Sequence, residues 1–312
     1  MVKRDDLPAP ALPDGDGRPL DPGAAGSVEA GDVSEMDLSY GSGSGEAEGK
    51  GKSELRTLLE RDPSRAETVI EFRDVHLAFS REREVLAGVD LTVRRGETKI
   101  ILGGSGEGKS TILRLALGLI QPTRGSIRLF GEEITTLDEA QLKPIRHRVG
   151  MVFQGGALFD SLTVAENVGF CPMENHGMTL EQAEPLIRRR LKYVGLSDAY
   201  DLMPSELSGG MAKRAAVARA MICSPEVLLF DEPTTGIDPI GVRRLLRLIN
   251  RLRDDLEVTS VVVTHILKDA RFIGDSLLVL RAGHIVFDGT FDELMATRDP
   301  FLRDFIAEQE GI

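Results

Sequence analysis

The run Gly103-Gly104-Ser105-Gly106-Glu107-Gly108-Lys109-Ser110-Thr111 has the G-x-x-x-x-G-K-S form of a phosphate-binding Walker A loop. Glycines at 103, 106 and 108 let backbone N–H groups converge on a phosphate without side-chain obstruction. Lys109 can set its ammonium between the β- and γ-phosphates of a nucleotide, and Ser110 offers its hydroxyl to Mg²⁺. The motif carries this meaning only between a strand and a helix. Here TKIILG at 98–103 reads as a buried strand, and Lys109 to about Leu119 reads as a helix ended by Gln-Pro-Thr-Arg-Gly.

Before the loop, the runs TVIEFR, VHLAF and VDLTV from Thr68 onward read as short strands of an antiparallel β subdomain. After it, apolar runs at Glu226 to Phe230, Ser260 to Val263 and Ser276 to Leu280 alternate with helical patterns at Val242 to Leu252 and Leu267 to Ile273. Such alternation predicts an α/β fold with a parallel core sheet and crossover helices. Thr163 to about Met203 is mostly helical, with Leu180 to Val194 the clearest amphipathic stretch, and reads as an inserted helical subdomain. The main domain is expected over 68–293, with a helical segment over 294–312. No internal repeat and no second Walker motif is present.

Val227-Leu228-Leu229-Phe230-Asp231-Glu232-Pro233 is a buried strand ending in two carboxylates, the Walker B form. A strand's carboxyl edge is where ligands of open α/β sheets bind. Asp231 would hold Mg²⁺, and Glu232 would orient and deprotonate the attacking water as general base.

The chain has 312 residues, 41% of them hydrophobic, enough to bury a full core. Residues 1–48 hold three basic and eleven acidic residues, so −8 of the formal −12 sits there and the rest of the chain carries −4. A nearly balanced body argues against nucleic-acid binding, which calls for a basic excess. Residues 1–52 contain ten glycines and five prolines with Tyr40 as the sole aromatic, a composition expected to be disordered. Residues 53–67 read as a short helical lead-in, with SELRTLLE at 53–60 its helical core. Cys171 and Cys223 lie far apart in sequence and form no CxxC pair, so neither a disulfide nor a zinc site is expected, and a reducing compartment is. No stretch approaches the roughly 18 apolar residues of a membrane span, and Met-Val-Lys-Arg-Asp-Asp opens no signal peptide. A soluble, unexported chain is expected, one that would serve a membrane by docking on another protein.

With these motifs in order, Thr68 to Glu293 resembles the ABC ATPase family. Met151-Val152-Phe153-Gln154 is similar to the Q-loop, implying that Gln154 reaches Mg²⁺ and the attacking water. Leu207-Ser208-Gly209-Gly210-Met211 is similar to the family signature, so Ser208, Gly209 and Gly210 are implied to meet the γ-phosphate held by a second copy. Thr235-Gly236-Ile237-Asp238-Pro239 is similar to the D-loop, placing Asp238 at that interface, and His265 resembles the switch histidine. Phe79 either stacks on adenine, as the resemblance implies, or packs as a core aromatic. Ile237 and Met211 replace the more common leucine and glutamine; the first is conservative, and the second points to a subfamily. Gly155 to Val164 and Leu202 to Arg214 resemble the Mce-associated, Mla-type phospholipid transport ATPases. That resemblance implies ATP and Mg²⁺ as cofactors, a homodimer, and an integral membrane permease. It further implies an MCE-domain protein, phospholipid cargo and a peripheral place on the cytoplasmic face of the inner membrane. The alternatives are an ABC importer or exporter ATPase for polar solutes, and a non-transport ABC ATPase that remodels a soluble assembly.

Overall fold

The computed structural model describes residues 67–80 and 83–310. The acidic tail and the expected helical lead-in before residue 67 lie outside the described residues.

Two sheets organise the chain. The first is antiparallel, in the order β2 (Arg83–Arg94), β1 (Thr68–Ser80), β4 (Arg124–Leu129), β5 (Glu132–Glu133). TVIEFR and VHLAF, expected as separate strands, are one strand. Asp74 at φ 46° and a register shift between Phe72 and Val75 make a bulge that restores inward pointing on both sides.

The second sheet has six strands in the order β10 (His284–Gly289), β9 (Ser276–Arg281), β3 (Thr98–Gly103), β8 (Thr259–Thr264), β7 (Val227–Asp231), β6 (Val149–Val152). All its pairings are parallel except β10 with β9. Its central strands are buried on both faces, which explains their unbroken apolar runs. Side chains alternate between two cores. Ile100, Leu102, Leu228 and Phe230 face the helical side, whereas Ile101, Val227 and Leu229 face the antiparallel sheet. Each fully buried side chain of this size contributes about 1.5–3 kcal/mol relative to exposure.

Helices α1 (Lys109–Ala116) and α2 (Glu139–Arg146) pack on the antiparallel-sheet side. The other side is covered by α3 (Val164–His176), α4 (Leu180–Tyr193), α5 (Gly209–Met221), α6 (Pro239–Leu256), α7 (Leu267–Ile273), α8 (Phe291–Met295) and α9 (Pro300–Glu310). Capping boxes start several of them: Thr163 with Glu166, Thr179 with Gln182, Thr290 with Glu293. Among the described residues no helix is long and apolar enough to cross a membrane.

The cysteine expectation requires correction. Cys171 on α3 and Cys223 after α5 form a disulfide, with Cα atoms 6.9 Å apart. Their separation of 52 residues concealed this, because the pairing follows from the packing of α3 on α5 rather than from any local spacing.

Candidate nucleotide site

Strands β3, β8, β7 and β6 are neighbours and parallel, so the segments leaving their carboxyl ends converge. They deliver the Walker loop after β3, His265 after β8, Asp231 and Glu232 at the end of β7, and Gln154 after β6. This is the crevice position expected of ligands in open α/β sheets.

The loop is shaped by its glycines. Gly108 caps α1 at φ 99°, and a Cβ there would lie 2.9 Å from Leu86 and 3.2 Å from the Val85 carbonyl. Only glycine fits both the conformation and the contact. The Glu107 carboxylate accepts from the Ala282 N–H, pinning the loop to the turn between β9 and β10. Glu107 therefore has its backbone N–H, not its side chain, to offer a phosphate. Gly104, Ser105 and Gly106 are exposed at the tip, and Thr111 follows on α1.

The Lys109 ammonium is buried and donates to the carbonyls of Gly103 (3.0 Å) and Gly104 (2.8 Å). It also lies 3.6 Å from Glu232. Ser110 donates from Oγ to Asp231 Oδ1 at 2.7 Å. Glu232 gathers three further partners: Thr235 Oγ1 at 3.2 Å, Gln154 Nε2 at 3.4 Å and His265 Nδ1 at 3.4 Å. Its backbone sits in the left-handed region at φ 43°, with its N–H donated to the Val263 carbonyl at 3.0 Å. Such a conformation in a non-glycine residue costs about 1–3 kcal/mol and persists where the surroundings over-determine it. The carboxylate is thus held in one place by a cation, two hydrogen-bond donors and an imidazole.

Ser110 and Asp231 present hard oxygen donors side by side, which suits Mg²⁺, an ion commonly held by one or two protein groups plus substrate phosphates.

A second group of predicted residues forms a separate surface. Ser208 caps α5 through Met211 N–H at 3.3 Å, while Asp238 caps α6 through the N–H groups of Ile240 and Gly241, both at 2.9 Å. Those backbone donors, Gly241 foremost, hold the Asp238 carboxyl below its usual range. Gly210 abuts Gly241, and Gly209 abuts Ile237. Among the described residues no hydrogen bond or ion pair joins Ser208, Gly209 or Gly210 to Lys109, Ser110 or Glu232. Phe79 is 68% exposed, which removes the core-aromatic reading. It stands on the hairpin whose Val85 and Leu86 abut Gly108.

The ABC transporter family model matches residues 86–235. Over 239 residues the chain is 41% identical to the intermembrane phospholipid transport system ATP-binding protein MlaF of Escherichia coli strain K12. That match takes in 76% of this chain and 88% of MlaF. The chain belongs to the ABC transporter family. This ABC ATPase is also 39% identical over 232 residues to the methionine import ATP-binding protein MetN of Corynebacterium jeikeium strain K411, but the match covers 63% of MetN and 73% of this chain. Among solved structures it resembles the dimeric post-hydrolysis state of the ATP-binding cassette MJ0796 bound to ADP and Pi. The TM-score there is 0.66 at 31% identity, over 71% of this chain and 98% of the other.

Other contacts in this ABC ATPase were not visible in the sequence. Lys213, buried on α5, donates to the Gln154 carbonyl and so fixes the Q-loop backbone; burial pushes its ammonium pKa down. Asn167, fully buried, accepts from Phe159 N–H at 2.7 Å and donates to the carbonyls of Phe159, Leu162 and Thr163, each at 3.0 Å. Arg219 holds the carbonyls of Ala157 (2.6 Å) and Gly156 (2.9 Å). Together they staple the segment between Gln154 and α3 to the helices. Lys213 lies within the Leu202 to Arg214 segment and Thr235 within the stretch read above as the D-loop, but their bonds to Gln154 and Glu232 were not read from the sequence.

Proposed function

We propose that this ABC ATPase is the energising subunit of a phospholipid or hydrophobic-cargo transporter, working as a homodimer beneath an integral membrane permease together with an MCE-domain protein. The observation that carries the chemistry is the fixed Glu232 carboxylate, set between Lys109, Gln154, Thr235 and His265. The cargo rests on the likeness to MlaF, which this chain matches over 88% of that protein's length, against 63% for MetN.

ATP is bound by the Gly103–Thr111 loop, with Lys109 on its terminal phosphates and Phe79 against its base. Ser110 and Asp231, with Gln154, would hold Mg²⁺, which when bound neutralises phosphate charge. Glu232 accepts a proton from water as the water oxygen bonds to the γ-phosphorus and the bond from that phosphorus to the bridging oxygen breaks. His265, which approaches the same Glu232 oxygen as Lys109, contacts the γ-phosphate and reports its presence. Ser208, Gly209 and Gly210 approach that phosphate from the second copy. Each copy carries one such half-site, so a two-fold dimer closes two sites at once. ATP binds the closed arrangement more tightly than the open one, and hydrolysis reverses the preference.

The Q-loop is the element suited to pass this change to a membrane partner. Phe153 and Phe159, 41% and 44% exposed, flank a groove of about 520 Å³ beside α3 and the Cys171–Cys223 pair. A permease helix seated there would feel any movement of Gln154. The test is affinity purification of the tagged chain from gently solubilised native membranes, with mass spectrometry of proteins and lipids. Recovery of a multi-span permease, an MCE-domain protein and phospholipid supports the reading; recovery of an amino-acid permease, or of soluble partners only, overturns the cargo assignment.

A further inference from the structure

The end of α4 and one face of α6 enclose a groove of about 380 Å³ walled by Lys192, Arg214, Arg244, Arg247 and Arg251. Arg244, Arg247 and Arg251 recur at three- and four-residue spacing, so they stand on one face of α6. Lys192, Arg244 and Arg247 are ion-paired to no described residue. Arg251 lies over the Tyr193 ring at 4.7 Å and reaches Asp255 only at 3.8 Å. Buried Arg214 donates to the Val194 carbonyl; burial, then the neighbouring Arg244, lowers its pKa, with Asp238 the one opposing carboxylate. In a separate hollow, also lined by Glu226 and Glu257, stands Arg190, buried, bonded to Ser224 Oγ at 2.7 Å and with an unpartnered Nε. Five cations facing one groove against two peripheral carboxylates is a surface built short of negative charge.

The chain itself holds the missing charge. Eleven acidic residues against three basic ones lie in residues 1–48. The described chain starts at Glu67, tied to Arg95 at 2.8 Å, and Arg95 lines the same hollow as Arg190. Residues 49–66, with 53–60 counted as the helix expected above and the other ten extended, reach about 45 Å, against a radius of gyration of about 18 Å for a domain of this size. Reach is therefore ample, and charge selects the face. We propose that the acidic stretch 5–48 docks in this groove of its own chain. Arg214 and Arg244 also line the neighbouring recess with Ser208, Gly210 and Asp238, so a docked tail lays negative charge beside the signature face. On the sandwich reading above, that face receives the γ-phosphate of the partner's ATP, and the docked tail brakes closure.

The test places p-benzoylphenylalanine at Tyr40 of the full chain and maps its photo-cross-links by mass spectrometry, at about 20 mM and about 0.5 M salt, which span long and short screening lengths. Intramolecular cross-links to peptides of 180–195 and 239–256 are expected at low salt. They should fall at least about fivefold at high salt, in R247E/R251E, and in a tail variant D14N/D16N/D21N/E29Q/D32N/E35Q/D37N that leaves the described domain untouched. Cross-links to another face, cross-links of dimer mass only, or cross-links indifferent to all three changes would overturn the proposal. At low salt the tail variant should also hydrolyse ATP at least about twofold faster than the unaltered chain, since the screened contact has been removed. Equal rates with the cross-link intact would overturn the brake, whereas no hydrolysis in either protein would count against the nucleotide reading instead.

Discussion

The Lys109 ammonium and the Glu232 carboxylate face each other at 3.6 Å, although 123 positions separate them in the chain. The contact joins the end of β3 to the end of β7 across β8, and it sets the cation proposed to bind phosphate beside the residue proposed as base. One sheet thereby fixes both the cation proposed to meet the terminal phosphates and the group proposed to activate water.

Lys109→Ala should therefore weaken ATP binding about 10- to 100-fold, the loss expected when one charge-assisted contact of about 1.5–3 kcal/mol is removed. Titration with a fluorescent nucleotide measures this. Unchanged affinity would show that the loop does not hold the phosphates.

Phe79→Ala should lower nucleotide affinity about three- to tenfold, the range of a stacking interaction of about 0.5–1.5 kcal/mol. Because Phe79 is exposed, the unfolding midpoint should not move. A stability loss with no change in affinity would assign Phe79 to packing.

Asn167→Ala should cost about 1–3 kcal/mol in urea unfolding, because it leaves a buried N–H and several carbonyls without their partner. Hydrogen exchange should rise between Phe159 and Thr163. If exchange there stays slow, the loop is held by Arg219 and the backbone alone.

Glu226 receives Arg148 (partners Nε and Oε1) and Arg95 (partners Nη1 and Oε2), and these hydrogen bonds, Arg148 first, hold its carboxyl below the usual range against opposing burial. A folded pKa below the unfolded value of about 4.3 means the unfolded chain takes up the proton first. The stabilisation is thus present above that value and lost as pH falls through the lower, folded one. Glu226→Gln should be less stable than the unaltered chain near neutrality and should show a shallower loss as pH drops from about 5 to about 3. Parallel profiles would mean that the Arg95–Glu226–Arg148 cluster contributes nothing that titrates.

Much of the site was readable because its chemistry is local. Lys109 and Ser110 follow directly from the loop, and Asp231 and Glu232 from a strand that ends in two acids; the sheet order then brings them together. Helix ends were less legible. Helix α1 stops at Ala116 rather than about Leu119, since Gly118 turns left-handed at φ 61°. Helix α6 starts earlier than its apolar pattern, because Asp238 and Pro239 supply the cap and first turn. What could not be read was long-range polar wiring. Lys213 to Gln154 depends on how α5 meets the Q-loop and the Cys171–Cys223 bond on how α3 and α5 pack, and no spacing encodes either; the Asn167 contacts to Phe159 lie within eight residues but follow no recognisable pattern.

The most direct test is light scattering of Glu232→Gln with ATP and Mg²⁺, alongside its rate of hydrolysis. The substitution keeps the shape of the side chain and the phosphate contacts but removes the base, so turnover should fall about 10²- to 10⁴-fold. ATP should then hold the protein as a dimer that reverts to monomer when the nucleotide is removed. A monomer at saturating ATP, or hydrolysis at the unaltered rate, would contradict a site completed by two copies with Glu232 as its base.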